Sequence, residues 1–353
     1  MQKTYKIASI PGDGIGKEVV PHGQIIADVA ARQHGFAIEW TVFDWSCETY
    51  LETGQMMPDD GIEQLKKFDA IYLGAVGWPT VPDHVSLWGL LLPIRREMNQ
   101  YANIRHIRLL DGVQSPLAGR SPEDIDFIVV RENVEGEYSE LGGRMNRGTP
   151  DELAIQEAVF TRKGTDRIMK YAFELAQKRA RKQVTSATKS NGIKHSMPFW
   201  DERFAAMSAQ YPDISTNQFH IDILTAHFVR NPDWFDVIVA SNLFGDILSD
   251  LGPAIAGSIG IAPSANINPE REFPSMFEPV HGSAPDIAGK GIANPIGAIW
   301  TIAELLEHLG ENAAAAQIEA AMQQSLMHDE TKTADLGGSA TTQGCVDTIL
   351  NAM

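Results

Sequence analysis

Along this chain the spacing of apolar residues switches repeatedly between the short period of strands and the longer period of helices. Ile7–Ile10 predicts a first strand. Pro11-Gly12-Asp13-Gly14-Ile15-Gly16 follows it, then a helix from about Lys17 to Gln33 interrupted near Pro21 and a second strand over Ala37–Phe43. Asp69–Gly77, DAIYLGAVG, predicts another strand ending in glycines. Val85–Tyr101 is helical in pattern, with Trp88, Leu91, Leu92 and Arg95 at i, i+3, i+4 and i+7, hence on one face. Asp126–Val130 predicts a strand running directly into Arg131-Glu132-Asn133. Leu141–Pro150 is glycine-rich and polar, a loop or exposed arm, and Thr165–Lys178 is an amphipathic helix. Gln183–Thr188 predicts a short strand, Phe199–Ala209 a helix, and Gln218–Thr225 a strand that contains Asp222. In VIVASNLFGDILSDLG the period changes once more. Val237–Val239 is β-branched, Asn242–Gly245 a connection, and the helical pattern begins at Asp246. Helices starting near Pro295 and Ala313, and a last one reaching Met353, complete the chain.

Strands alternating with helices predict an α/β architecture. The length of 353 residues suits two lobes. No Pro- or Ser-rich linker separates them, so the lobes are expected to be interwoven rather than strung in series. Composition is that of an ordinary globular protein, 43% hydrophobic and 21% charged. A formal net charge of −17 argues against non-specific nucleic-acid binding, which needs a basic face. An anionic small substrate would need a local cationic pocket. The two cysteines, Cys47 and Cys345, have no metal-binding or disulfide spacing. No apolar run approaches the ~18 residues of a membrane-spanning helix, and no signal-peptide pattern opens the chain, so a cytoplasmic protein is expected.

Several residues then carry candidate chemistry. The turn after the first strand is not a dinucleotide fingerprint: Gly12 and Gly14 fit its first two positions, but Lys17 stands at the third. Asp246 and Asp250 share a helix face one turn apart, which suits either helix-end electrostatics or a hard divalent cation. Asp222 in the apolar run HIDILTAHF favours the second, because a buried carboxylate needs a counter-ion. Three aspartates make a plausible oxygen site for Mg²⁺ or Mn²⁺. Arg95, Arg105 and Arg131 each end an element, and their planar forks match carboxylates, so together they could hold a dianion. Lys189, at a strand end, is a candidate base beside such a metal.

The ordered set IPGDGIGKEV, Arg95 with YANIR, VRENVEGEY, TKSNG, HIDIL, NLFGDILSDL, EPVHGSAPDIAGKGIANP and DLGGSATT resembles the β-decarboxylating dehydrogenases of isopropylmalate, isocitrate, tartrate and D-malate over essentially the whole chain. AVGWP, SLWGLLLPIRR and SATKSNG are most similar to the tartrate/D-malate branch. The resemblance implies a two-lobed, non-Rossmann α/β fold of mixed sheets flanked by helices. Residues 1–99 and 253–353 would form a discontinuous nucleotide-binding lobe, and 100–252 a smaller lobe with the metal site and an arm at about 138–160. It implies a homodimer with shared active sites. Arg95, Arg105 and Arg131 would clamp the substrate, with Trp88 and Leu91 beside it. Tyr138 would be the general acid, and Lys189 and Asp222 would reach in from the partner to join Asp246 and Asp250. His281, Gly282, Ser283, Ala284, Pro285, Asp286 and Asn294 would hold the nucleotide. Asp286 stands where it would repel a 2′-phosphate, which favours NAD. One departure is visible: the family often has proline after the second clamp arginine, and here it is His106.

The implied reaction is NAD-linked oxidation of a 2-hydroxy dicarboxylic acid with loss of the β-carboxylate, D-malate giving pyruvate and CO₂. Lys189 would take the hydroxyl proton and Tyr138 would return a proton to carbon. Isopropylmalate members commonly carry an acidic residue where Trp88 stands, so Trp88 is expected to exclude a branched alkyl group. An isopropylmalate dehydrogenase and a catalytically silent regulatory subunit are the competing readings, the latter expected to have lost acid, base or metal ligands. A metal-independent Rossmann hydroxyacid dehydrogenase fails on the glycine spacing. The residues choose neither Mn²⁺ over Mg²⁺ nor for or against a K⁺ requirement.

Overall fold

The computed structural model describes residues 2–353. Ten strands form one sheet. In chain order they are β1 (Lys3–Gly12), β2 (Phe36–Val42), β3 (Ala70–Ala75), β4 (Ala102–Arg108) and β5 (Asp126–Glu132), then β8 (Gln183–Thr188), β9 (Ser215–His220), β10 (Val237–Ala240), β11 (Pro263–Ile267) and β12 (Ser275–Pro279). Two further strands, β6 (Gly142–Met145) and β7 (Leu153–Gln156), pair only with each other. Spatial order in the large sheet is β2-β1-β3-β12-β11-β4-β5-β10-β8-β9. Both wings are parallel, β2-β1-β3-β12 on one side and β5-β10-β8-β9 on the other. The contacts β12/β11, β11/β4 and β4/β5 are antiparallel, so the chain reverses direction at the centre of the sheet.

The wings read as buried parallel strands should. All six residues of β3, AIYLGA, and all four of β10, VIVA, are buried. Alternation sorts the core into two faces. Tyr72 points into the larger cluster, while Ile71 and Leu73 join a smaller one with Ala8, Ile10, Leu90, Ile94 and Met276. The helical stretch Asp83–Glu97 covers that smaller face.

The glycine turn after β1 is a packing device. Gly12 has φ +70° and Gly14 φ +54°, and a Cβ on either would lie 2.0 Å from a carbonyl, that of Ala75 or Ser283. Asp13 is buried and accepts hydrogen bonds from the backbone N–H groups of Cys47 (2.8 Å) and Gly77 (2.9 Å). The helix after it runs unbroken over Gly16–His34, with Pro21 inside, rather than being interrupted near that proline. Cys47 and Cys345 are both buried free thiols. No helix among the described residues is long and apolar enough to cross a membrane.

Two expectations need correction. Gln218–Thr225 is not one strand: β9 stops at His220 and a helix covers Ile221–Arg230. Ile221, Leu224 and Phe228 recur at helical spacing, and the last two fill the core. Asp222 therefore sits in the first turn of a helix with its side chain 67% exposed, not inside a buried strand. The helix bearing Asp246 also begins earlier, spanning Asn242–Ile255, which puts Asp246 in its second turn.

Candidate active site

Cross-strand register builds the floor of the site. Asn103 of β4 lies opposite Asn266 of β11 on one side and opposite Arg131 of β5 on the other, and Glu278 of β12 lies opposite Ser264 of β11. Because side chains alternate, Asn103 and Arg105 share a face, as do Ser264 and Asn266. The face that carries the smaller apolar cluster in one wing thus continues across the sheet centre as a buried polar strip. Helix Leu92–Glu97 lays Arg95 over it, and helix Asn242–Ile255 brings Asp246 and Asp250 from the other side. Between them is a cleft of about 640 Å³ lined by Trp88, Leu91, Arg95, Arg105, Arg131, Tyr138, Asp246, Asp250 and Glu278, among others. Trp88 and Leu91 belong to a π-helical turn, Leu87–Leu91, an irregularity often found at functional sites.

The three arginines are buried, and each is held from behind. The Arg95 guanidinium donates to Glu278 Oε1 at 2.7 Å, while its Nε is buried with no partner among the described residues. Arg105 Nε donates to Asn103 Oδ1 at 2.9 Å. Arg131 donates from Nε (3.0 Å) and a terminal nitrogen (2.7 Å) to Asn242 Oδ1 and from the other terminal nitrogen to Asp246. Among the described residues, only Glu278 and Asp246 pair directly with these three cations. Burial, with Arg131 and Arg95 close by, pushes the Arg105 guanidinium down to about 10, so it stays charged at neutral pH. Buried cations short of countercharge form an anion site.

The acidic groups divide between two environments. Burial works to raise the Asp246 carboxyl, but Arg131, the Tyr138 hydroxyl, Arg105 and Arg95 outweigh it and hold it below the usual carboxylate value. Tyr138 donates to Asp246 Oδ2 at 2.6 Å, and burial together with that carboxylate pushes the phenol up to about 12. Asp250 is more open to solvent and forms no ion pair with a described residue. Partial burial raises its carboxyl, Arg105 opposes, and Asp246 adds to the rise.

Lys189 and Asp222 lie elsewhere. Lys189 Nζ donates to Asp222 Oδ1 at 2.8 Å, and that bond holds the exposed Asp222 carboxyl low. Neither lines the cleft, and no three of the described His, Cys, Asp and Glu side chains cluster as a metal site within one chain. The nucleotide candidates fall on an irregular loop between β12 and the helix Ile296–His308. His281 and Gly282 line the cleft, and His281 Nε2 is buried without a partner among the described residues. Ser283 packs under the glycine turn, its carbonyl accepting from Ile15 N–H at 2.9 Å, and Ala284 takes φ +40°. Pro285 and Asp286 are exposed. Asn294 is buried, its Oδ1 accepting from Ile296 N–H (2.9 Å) and its Nδ2 donating to Asp335 (2.9 Å).

His106 leaves the aim of Arg105 intact. Alternation turns it to the opposite face of β4, where it meets Glu304 of helix Ile296–His308 at 2.5 Å. Sequence reasoning missed Glu278, Asn103, Asn242 and Asn266, which touch the arginines or each other. The signal for Glu278 was available: it is an acidic residue in SMFEP, a strand whose five residues are all buried.

Residues 6–349 match the family model "Isocitrate/isopropylmalate dehydrogenase". Among curated proteins, the chain is 62% identical to D-malate dehydrogenase [decarboxylating] of Escherichia coli (strain K12), covering 99% of this chain and 98% of that one. It is 60% identical to the tartrate dehydrogenase/decarboxylase of Pseudomonas putida, over 96% and 95%. Among solved structures, isocitrate dehydrogenase from Methylococcus capsulatus superposes with a TM-score of 0.89 at 33% identity, covering 99% of both chains.

Proposed function

The chain belongs to the isocitrate/isopropylmalate dehydrogenase family, and from that premise we propose that it oxidises D-malate or tartrate with NAD and a divalent Mn²⁺ or Mg²⁺, D-malate giving pyruvate and CO₂. One observation carries the reading. Three buried guanidiniums with incomplete countercharge ring one cleft together with a protonated tyrosine and two aspartates. That is a site for a small dicarboxylate with chemistry at the carbon between its acidic groups.

Arg95, Arg105 and Arg131, which line the cleft, hold the two carboxylates. Asp246 and Asp250 supply hard oxygen ligands on one helix face, with the partner subunit's Asp222 as the third, and this donor set fits Mn²⁺ or Mg²⁺. Such an ion, when bound, polarises the substrate oxygen as a Lewis acid. The orphaned His281 Nε2 and the exposed Asp286 on the loop that borders the cleft fit a nucleotide without a 2′-phosphate. NAD, when bound, would supply the acceptor for the C2 hydride, and the partner subunit's Lys189 would take the hydroxyl proton. The C3–carboxylate bond then breaks, its electron pair forming the enol as CO₂ departs. Tyr138, which keeps its phenolic proton at neutral pH, delivers a proton to C3.

In this reading residues 1–99 and 253–353 carry the nucleotide and 100–252 the metal. Lys189 and Asp222, remote from their own chain's cleft, serve the partner's. The ribbon β6–β7 would make that homodimer. All eight of its residues are exposed, Met145 and Ile155 by 60% and 52%, and a two-stranded ribbon is marginal alone. The experiment is a panel of initial rates with NAD or NADP on D-malate, L-tartrate, meso-tartrate, 3-isopropylmalate and isocitrate, with Mn²⁺ or Mg²⁺ and with EDTA. NADH formation from D-malate or tartrate, abolished by EDTA, is expected. Turnover that survives chelation, or none on any diacid, overturns the proposal.

A further inference from the structure

The arginines are secured differently, and the difference isolates one side chain. Arg131 is secured by Asn242 and Asp246. Arg95 and Arg105 rest on Glu278 and Asn103. Behind both lies Asn266 of β11, fully buried and outside the cleft lining. Its Nδ2 donates to Glu278 Oε1 at 2.8 Å. Its Oδ1 accepts from Asn103 Nδ2 at 3.0 Å and from Asn133 Nδ2 at 2.9 Å. No other described side chain bonds both to the group that holds Arg95 and to the group that holds Arg105.

We propose that Asn266 is a positioning residue that sets the spacing of Arg95 and Arg105, and with it the distance at which the site binds two carboxylates. The proposal rests on the dicarboxylate reading of the cleft. Only a primary amide meets both demands of the position, a donor toward an ionised carboxylate and an acceptor toward two amide N–H groups. Cross-strand pairing with Asn103 fixes its height in the sheet. Being neutral, it braces the clamp without cancelling its charge. A leucine of similar volume would leave one buried acceptor and two buried donors without this partner, and an aspartate would set a second carboxylate against Glu278.

The test is an exchange of amide and carboxylate in the full-length chain. Asn266→Asp removes the donor to Glu278 and adds repulsion. Combined with Glu278→Gln, total charge is that of the native protein and the repulsion between carboxylates is gone. Because one oxygen, Glu278 Oε1, accepts from both Arg95 and Asn266, the new glutamine must turn its amide so that Nε2 donates to the new aspartate and Oε1 accepts from Arg95. Asn266→Asp alone should raise the KM for D-malate by about tenfold or more, with the KM for NAD within about twofold of native. The double variant should bring the D-malate KM back to within about threefold. Should Asn266→Asp not fold, a folded double variant with near-native KM makes the same point, and Asn266→Ser, which keeps an acceptor, should raise the D-malate KM selectively. An unchanged D-malate KM in a folded single variant, or a loss of kcat and of both KM values that the exchange does not repair, overturns the proposal. Calorimetric dissociation constants for D-malate are measured on the same proteins. If native protein binds D-malate without turning it over, the dehydrogenase reading fails while the positioning role is still decided by those constants.

Discussion

If the cleft binds a diacid as proposed, the indole of Trp88 would wall the space beside the substrate's C3 substituent, and its removal should broaden specificity by a calculable amount. Trp88 is 36% exposed in the π-helical turn and borders the cleft next to Leu87 and Leu91. It is not free to swing aside. The Arg96 guanidinium lies 4.6 Å from its ring centre, and Arg96 is itself fastened to the Tyr138 carbonyl (2.5 Å) and to Glu140 (3.3 Å). Relative to D-malate, 3-isopropylmalate carries three more carbons at C3. At about 0.8 kcal/mol per buried CH₂ that is roughly 2.4 kcal/mol of contact the native wall denies. Because the wall is partly open, Trp88→Ala should recover about 1–2 kcal/mol of it, a shift of about 5- to 30-fold in the ratio of kcat/KM for 3-isopropylmalate over D-malate. Loss of the cation–π contact costs about 0.5–1 kcal/mol of stability, so the variant should remain folded. The assay is NADH formation under kcat/KM conditions with each diacid on both proteins. A native enzyme that already prefers 3-isopropylmalate, or a ratio that moves by less than about twofold in Trp88→Ala, would refute the reasoning.

Two other expectations follow from the geometry. If Lys189 and Asp222 serve the partner's cleft, then Lys189→Met and Tyr138→Phe, each inactive alone, should regain part of the native activity when unfolded together and refolded, because a mixed dimer contains one cleft with both native groups; no recovery in verified mixed dimers would sink the shared site. On the far face of β4, burial works to lower the His106 pKa, but Glu304 and Glu307 outweigh it and raise it above its unfolded value, with Arg179 opposing and Arg108 and Glu319 nearby. A raised histidine stabilises fully below about pH 6.5, and the contribution fades as pH climbs through the folded value. The Tm advantage of native protein over His106→Gln should therefore be largest at about pH 6 and shrink toward about pH 9, and an advantage that grows with pH contradicts it.

How far the sequence could be read depended on whether a physical signal was local. The buried strands β3 and β10 and the glycine turn are local, and their residues state them. The antiparallel centre is not, because the pairing of β4 with β11 joins residues some 160 positions apart in the register Asn103 to Asn266. The argument that a carboxylate in an apolar run needs a counter-ion was sound chemistry applied to the wrong residue. HIDILTAHF also fits a helix, with Ile221, Leu224 and Phe228 inward, and Asp222 then faces solvent. The carboxylate that meets the description is Glu278, paired with Arg95 at 2.7 Å. Periodicity over so short a run does not separate strand from helix. The clamp arginines and the aspartate pair could be found because they end elements or share a helix face. Asparagines 103, 242 and 266 could not, since an isolated Asn looks like turn chemistry until register sets it against a partner.

Those asparagines bear on how a chain of net charge −17 can hold a dianion. Long-range repulsion is screened beyond about 8 Å at physiological salt, so affinity is decided inside the cleft. There the chain could have braced each arginine with a carboxylate, and the clamp would then be electrically silent. For two of the three it uses neutral amide oxygens instead: Asn103 for Arg105, and Asn242 for two nitrogens of Arg131. Two carboxylates do enter the ring, Glu278 on Arg95 and Asp246 on both Arg131 and Tyr138. In the proposed reaction Tyr138 would let go of Asp246 to hand on its proton, whereas each terminal nitrogen of Arg131 carries a second N–H. Asn242 Oδ1 holds two nitrogens of Arg131 and its Nδ2 is anchored to the Glu135 carbonyl at 2.9 Å, which fixes the guanidinium plane from behind. A lysine at position 131 has no rigid fork to divide between Asn242 and Asp246 while leaving further donors for a diacid, which is why arginine suits this position.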